Sequence, residues 1–103
     1  MSARRRLPDR RACETFEIES QGLGFTATVS RFPDGRVAEI FLQNHKAGSS
    51  AGINAQDSAV VCSIALQYGV PLDVISKALM RDSQGRASGP LGTALDAIAG
   101  GFW

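Results

Sequence analysis

The sequence has few of the residues that build metal centres and disulfide scaffolds. Its 103 residues include two cysteines and one histidine. Cys13 and Cys62 cannot make a disulfide framework, and His45 has no second histidine with which to share a metal ion. We therefore expect no metal site.

Long apolar runs are missing as well. No stretch approaches the length of a membrane span, and no signal-peptide core follows the N-terminal arginines. We therefore expect a cytoplasmic protein without membrane contact. Paired carboxylates, a serine–histidine–acid set and a cysteine–histidine pair are not discernible, so the sequence predicts no catalytic residue.

The charges are few and unevenly placed. The net charge is +1, but residues 1–13 carry five arginines against Asp9, and the rest carries six bases against nine acids. We interpret residues 1–13 as a flexible basic arm and residues 14–103 as a single folded domain. The arm either contacts phosphates or an acidic partner, or it only solubilises the chain. Its arginines are Arg4, Arg5, Arg6, Arg10 and Arg11.

The most apolar stretch, Asn54–Pro71, predicts a helix from Asn54 to Gly69. Asn54 or Asp57 can cap its first turn, and Gly69 can end it. Because the helix is apolar over most of its circumference, we expect the rest of the chain to cover it on several sides. The predicted buried face consists of Val60, Val61, Cys62, Ile64, Ala65, Leu66 and Tyr68, and the thin polar stripe consists of Gln56, Ser63 and Gln67.

Alternation of apolar and polar residues predicts three strands before this helix, at Thr15–Ser20, Phe25–Arg31 and Arg36–Gln43. Turns at Gln21–Gly24 and Pro33–Gly35 make them an antiparallel meander. Its inner face should carry Phe25, Ala27 and Val29. We expect self-association through the sheet or its exposed edge, and therefore a homo-oligomer.

The remaining elements follow from loops and helical spacing. Asn44–Gly52 is predicted as a loop, Leu72–Arg81 as a second helix and Pro90–Ala99 as a third. The fold class is therefore α+β, a three-stranded antiparallel β-meander packed on a central apolar helix with two shorter C-terminal helices. Phe102 and Trp103 either dock on the core or meet a partner. The predicted buried residues are Leu72, Ile75, Ala78 and Leu79 in the second helix and Leu91, Leu95 and Ile98 in the third.

Two loops are candidate phosphate-binding or ligand-binding sites. The first precedes the central helix, whose N-terminus attracts anions, although it lacks the P-loop order of residues. In the second, two arginines lie near glycines. The alternative is that both loops are solvated connections. The candidate residues are His45, Lys46, Gly48 and Ser49 in the first loop and Arg81 and Arg86 in the second.

Three segments, Glu39–Leu42, Lys46–Ser49 and Ser63–Pro71, resemble the TSCPD domain. This module lies at the C-terminal end of adenosylcobalamin-dependent ribonucleotide reductases and also occurs as small stand-alone proteins. The resemblance covers about residues 15–97. The Thr-Ser-Cys-Pro-Asp signature of the family falls on Ala87–Leu91, where Ser88 and Pro90 match and Gly89 replaces the cysteine.

The resemblance implies an accessory role. A reductase needs a large barrel, a radical cysteine, a reducing cysteine pair and a cobalamin site, which this chain cannot supply. We therefore expect a stand-alone module of deoxyribonucleotide metabolism and DNA replication that binds a nucleotide or reductase subunits and does not catalyse by itself. Adenosylcobalamin belongs to the reductase core, so no cofactor is expected.

A second hypothesis is a small nucleic-acid-binding regulator that uses the arginine arm. The two helices joined by Gly69–Pro71 resemble a helix-turn-helix, in which Leu72–Arg81 would enter the major groove. Asp73 would then lie at the tip that faces the bases, which argues against this arrangement.

Overall fold

The chain forms a three-stranded antiparallel sheet followed by three helices. The computed structural model describes residues 3–7, 13–46 and 48–100. The sheet order is β1-β2-β3, which confirms the predicted α+β meander. Arg10, Arg11, Phe102 and Trp103 lie outside the described residues. The elements are β1 (Cys13–Ser20), β2 (Leu23–Arg31), β3 (Val37–Asn44), α1 (Ser50–Gln67), α2 (Leu72–Ala78) and α3 (Pro90–Ala99).

The β1–β2 turn explains why β2 begins two residues earlier than predicted. Gln21 and Gly22 have φ values of 53° and 78°, so the β1–β2 hairpin closes in two residues instead of the predicted four. Glu17 therefore pairs with Thr26 across the two strands. Gly35, in the predicted Pro33–Gly35 turn, has φ of 93°, a conformation that glycine adopts without strain.

The hydrophobic core lies between one face of the sheet and two helices. Phe25, Ala27 and Val29 of β2 are buried, which confirms the predicted inner face. α1 packs on β3, and α3 packs on β1. The predicted buried residues of α3, Leu91, Leu95 and Ile98, are buried.

Helix α1 begins four residues earlier than predicted. Ser49 is the N-cap, because its Oγ accepts a hydrogen bond from the Gly52 N–H at 3.0 Å. Neither Asn54 nor Asp57 caps the helix, and four of the nine residues of the predicted Asn44–Gly52 loop belong to β3 and α1. The end of the helix was predicted well, since Gly69 follows the C-cap with φ of 98°.

The predicted buried face of α1 is wrong for four of its seven residues, whereas Cys62 and Leu66 are buried as predicted. Val61 is 67% exposed and Ile64 is 37% exposed, and Val60 and Tyr68 are exposed as well. Two residues of the predicted polar stripe, Ser63 and Gln67, are buried instead. The buried residues of α1 are Gly52, Ala55, Ala59, Cys62, Ser63, Leu66 and Gln67.

The physical reason why Ser63 and Gln67 are buried is that β3 is an edge strand of the sheet. The Ser63 hydroxyl accepts a hydrogen bond from the Ile40 N–H at 2.9 Å and donates one to the Ile40 carbonyl at 3.0 Å. One turn later, the Gln67 amide donates to the Ala38 carbonyl at 3.1 Å. An edge strand presents backbone groups that need partners when they are buried. Two polar side chains of α1 supply those partners, so the polar side of the helix faces inward.

Small side chains let α1 approach the strand. Gly52, Ala55 and Ala59 lie on its buried side. Because α1 lies along the β3 edge and α3 covers the β1 side of the sheet, the described chain leaves the opposite half of α1 uncovered.

Helix α2 is shorter than predicted and ends at Ala78 instead of Arg81. Leu79 adopts an extended conformation with φ of −78° and ψ of 154°, and Arg81 forms a β-bridge with Ala87. Leu72, Ile75 and Leu79 are half-buried against the core, whereas Ala78 is exposed.

We predict that Ser63→Ala destabilises the protein by about 1–3 kcal/mol, because it leaves the buried N–H and C=O of Ile40 without partners. Chemical denaturation measures this difference. Ser58→Ala is the matched control, since the Ser58 hydroxyl bonds only to its own helix at the Ala55 carbonyl, and its effect should stay within about 0.5 kcal/mol. Equal stability of the two variants would contradict the edge contact.

Candidate functional site

A polar cleft lies where β3 ends and α1 begins. Its volume is about 290 Å³. The structure brings three predicted site residues together there: His45, Lys46 and Gly48. The other lining residues are Thr26, Gln43, Asn44, Gly52, Ile53 and Gln56.

Asn44 fixes the loop that forms this cleft. Its Oδ1 accepts a hydrogen bond from the Lys46 N–H at 2.9 Å, and its Nδ2 donates to the Gly24 carbonyl of β2 at 3.1 Å. Asparagine commonly bonds to the backbone two residues later in this way. Gly48 has φ of 76°, which lets the chain turn into α1. The loop is therefore held by the sheet and by its own backbone.

Ser49 holds the helix in place. Its hydroxyl accepts from the Gly52 N–H and lies 3.4 Å from Asn44 Oδ1, to which it donates. A Cβ on Gly52 would come within 3.0 Å of Ser49 Oγ and 3.1 Å of the Asn44 Cβ, so glycine permits this close approach. Ser49 was predicted as a phosphate-binding candidate, and its observed contacts are those of a helix cap.

His45 joins a cluster with two residues that sequence reasoning missed. Its Nε2 lies 3.2 Å from Glu17 Oε2 and 3.2 Å from Thr26 Oγ1. The Thr26 hydroxyl donates to the Glu17 carboxylate at 2.9 Å. The alternation of β1 and β2 placed Glu17 and Thr26 on the outer face, but their pairing depends on the two-residue hairpin. The Glu17 carboxylate disfavours an anion next to His45, so the attraction for an anion falls to Lys46, which also lines the cleft.

The second predicted loop is engaged in an internal ion pair. The Arg81 guanidinium bonds both oxygens of Asp96 at 2.8 Å and also donates to the Gly85 carbonyl. These bonds lower the pKa of Asp96 and raise the pKa of Arg81. Arg86 lines a different cavity and lies 3.6 Å from Asp82. The two predicted loops therefore do not form one site.

Part of the predicted arm contacts the folded body. Arg4 Nε donates to Gln67 Oε1 at 2.6 Å, and the Arg5 N–H donates to the Gln67 carbonyl at 2.8 Å. The Arg5 guanidinium lies 4.0 Å from the centre of the Phe32 ring and 3.0 Å from Asp34. The helix dipole stabilises cations near the C-terminal end of a helix. Arg4 and Arg5 lie at that end of α1. Arg6 is exposed.

The helix-turn-helix interpretation finds little support in the geometry. α2 spans seven residues, and its exposed residues include Asp73, Val74 and Lys77. Arg81, which would have ended the recognition helix, is held by Asp96. A helix of two turns with one exposed basic side chain, Lys77, offers few contacts to a DNA groove.

Among residues 3–7, 13–46 and 48–100, no three His, Cys, Asp or Glu side chains cluster as metal ligands would. Within the same ranges, no helix has the length and apolar character needed to cross a membrane. Cys62 is buried, and burial raises the pKa of its thiol to about 11, so it is held as an unreactive thiol.

A larger, apolar cavity of about 400 Å³ lies between the β1–β2 turn, α1 and the start of α3. It includes Leu23, Met80 and the signature positions Gly89, Pro90 and Leu91. Neither this cavity nor the polar cleft fits adenosylcobalamin, because a corrin ring with its nucleotide needs several times either volume.

Comparisons with known proteins agree on one relationship. The family model described as TSCPD domain matches residues 3–101. The chain is 42% identical over 72 residues to a vitamin B12-dependent ribonucleotide reductase of Rhodopirellula baltica, which is 70% of this chain and 7% of that protein. It is 37% identical over 73 residues to the protein of the same name from Bradyrhizobium diazoefficiens, 71% of this chain and 6% of that protein.

A third relative, the vitamin B12-dependent ribonucleotide reductase of Streptantibioticus cattleyicolor, is 34% identical over 70 residues, 68% of this chain and 12% of that protein. The chain thus spans only a small part of the length of these curated relatives. No solved structure matches the chain.

We predict that the Arg81–Asp96 pair makes the fold sensitive to acid. The native pKa of Asp96 lies below its ordinary value of 3.8, so the stabilisation is complete above that value and is lost as the pH falls through the native pKa. Unfolding free energies between neutral and strongly acidic pH should therefore fall less steeply for Asp96→Asn than for the wild type. Ser58→Ala, which removes no titratable group, should keep the wild-type slope. Identical slopes for Asp96→Asn and the wild type would refute the assignment.

Proposed function

This chain belongs to the TSCPD domain family, and we propose that it acts as an accessory binding module of deoxyribonucleotide metabolism and does not catalyse by itself. The observation that carries the proposal is the match to vitamin B12-dependent ribonucleotide reductases over 72 residues at 42% identity. The matched part is a small share of those proteins, which supports a binding role for this module, with the reaction carried out outside it.

The proposed ligand is the phosphate end of a nucleotide, bound in the polar cleft. The cleft of about 290 Å³ lies at the lower limit of about 300–1,000 Å³ for small-molecule sites, which suits a phosphate group better than a whole nucleotide. Lys46 supplies a positive charge and Gly48 permits close approach of the backbone. The adjacent N-terminus of α1 adds a favourable field for an anion.

Two further observations concern the chemistry that we assign to the reductase and not to this chain. The cysteine of the family signature is replaced by Gly89, so no thiol chemistry is proposed at that position. The available cavities do not fit adenosylcobalamin, and we assign that cofactor to the catalytic partner. We propose reductase subunits as the protein partner and the cytoplasm as the place of action.

We predict that nucleoside triphosphates raise the melting temperature and that Lys46→Ala weakens their binding about tenfold, the effect of losing one charge-assisted hydrogen bond. Titration calorimetry measures the affinity. Lys77→Ala is the matched control, because Lys77 is an exposed lysine on α2 outside the cleft, and it should bind as the wild type does.

The same titration with double-stranded DNA distinguishes the nucleic-acid hypothesis from the nucleotide-binding proposal. Binding to DNA that falls steeply with salt, together with indifference to nucleotides, would replace the proposal with the regulator. Equal nucleotide affinities of Lys46→Ala and the wild type would refute the assignment of the polar cleft as the phosphate-binding site. Failure to recover reductase subunits in a pull-down from the native cell would refute the proposed partner.

A further inference from the structure

One face of α1 is apolar and uncovered in the described chain. We call it the outer stripe, and it lies opposite the buried side of the helix that Ala55, Cys62 and Leu66 form. Its members recur at the three- and four-residue spacing of a helix surface that packs against another helix. They are Ile53, Asp57, Val60, Val61, Ile64 and Tyr68, and all six are exposed.

The outer stripe continues onto the sheet. Phe41 of β3 is exposed, and it lines one surface depression together with Val60 and Gln56. The apolar members of the stripe and Phe41 together present on the order of 500 Å² of apolar surface, near the upper end for the largest patch on a monomer. Apolar residues on both sides of a helix are typical of one whose second side is also covered.

The pattern of the outer stripe is the same in both directions about a point between Val60 and Val61. Ile53 and Tyr68 are equally far from that point, and so are Asp57 and Ile64, each about 5 Å away at 1.5 Å per residue. In an antiparallel pair of two such helices, Val60 and Val61 would meet their own counterparts beside the twofold axis. Asp57 would lie across from Ile64 of the second copy.

The charges of the chain also fit an antiparallel pair. The outer stripe carries one charge, Asp57, whereas Arg4 and Arg5 bond to Gln67 at the C-terminal end of α1. Antiparallel packing brings that basic end of one copy beside the Asp57 half of the other. Helical side chains lean toward the N-terminal side of their own position, so the Tyr68 hydroxyl would also approach Asp57 of the second copy.

We propose that a second copy of this chain covers the outer stripe, in a twofold symmetric dimer built on antiparallel α1 helices. This inference does not depend on the proposed function. The outer stripe is a different surface from the sheet edge expected from the sequence, and on β3 part of that edge is occupied by Ser63 and Gln67. A stable interface buries about 800 Å² per partner, so the stripe, Phe41 and the arginines make a small, reversible one.

Sedimentation equilibrium over a range of concentrations tests the dimer. The wild type should pass from monomer to dimer, and Val61→Lys should weaken the association at least tenfold while keeping its circular dichroism spectrum and unfolding midpoint. Val74→Lys is the matched control, since Val74 is 54% exposed on α2 outside the stripe, and its association should match the wild type. A wild type that is monomeric at every concentration, or unaffected association in Val61→Lys, would overturn the proposal.

A cross-link tests the antiparallel arrangement separately. In a Cys13→Ser background, Val61→Cys should form a disulfide-linked dimer on mild oxidation, because the two Cβ atoms lie beside the twofold axis. Val74→Cys in the same background should remain monomeric on a non-reducing gel. No cross-link at position 61, or equal cross-linking at both positions, would rule out this pairing of the helices.

Discussion

The structure depends on how the backbone groups at the edge of β3 find hydrogen-bond partners. Ile40 and Ala38 lie on an edge strand, and a buried backbone group without a partner costs about as much as a lost hydrogen bond. Ser63 and Gln67 bond to these groups from one side of α1. Their spacing of four residues places both side chains on the same face of the helix. This contact fixes the rotation of α1 about its own axis.

The rotation of α1 about its axis determines how the neighbouring elements are arranged. Small residues of α1 face β3, and α3 is left to cover the β1 side of the sheet. The connection from Asn44 to Ser50 must then turn sharply, which Asn44, Gly48 and the Ser49 cap achieve, and the cleft with His45 and Lys46 is its result. The same rotation turns Val61 and Ile64 outward. The polar cleft and the outer stripe are thus two consequences of one edge contact.

Local patterns in the sequence were sufficient for most of the fold. The alternating strands, the glycine turns and the α3 core residues were predicted because each depends on neighbours a few residues away. The face of α1 was not, because hydrophobic periodicity assumes that polar residues point outward, whereas Ser63 bonds to Ile40, 23 residues away in the chain. No sequence pattern within the helix indicates that Ser63 bonds to Ile40.

The candidate site divides in the same way. His45, Lys46 and Gly48 were found together because they are contiguous in the sequence. Glu17 and Thr26 were missed, because their contact with His45 requires the register of the β1–β2 hairpin. The Arg81 loop was interpreted as a possible anion site because nothing near it in sequence indicates that Asp96, 15 residues later, binds the guanidinium.

The central claim is that α1 directs its polar side chains to the β3 edge. Amide hydrogen exchange at Ile40 tests this most directly, because its N–H bonds to Ser63 Oγ at 2.9 Å and to no neighbouring strand. We predict protection at Ile40 comparable to that of the β2 amides in the wild type, and fast exchange in Ser63→Ala while the β2 amides stay protected. Fast exchange at Ile40 in the wild type would contradict the account.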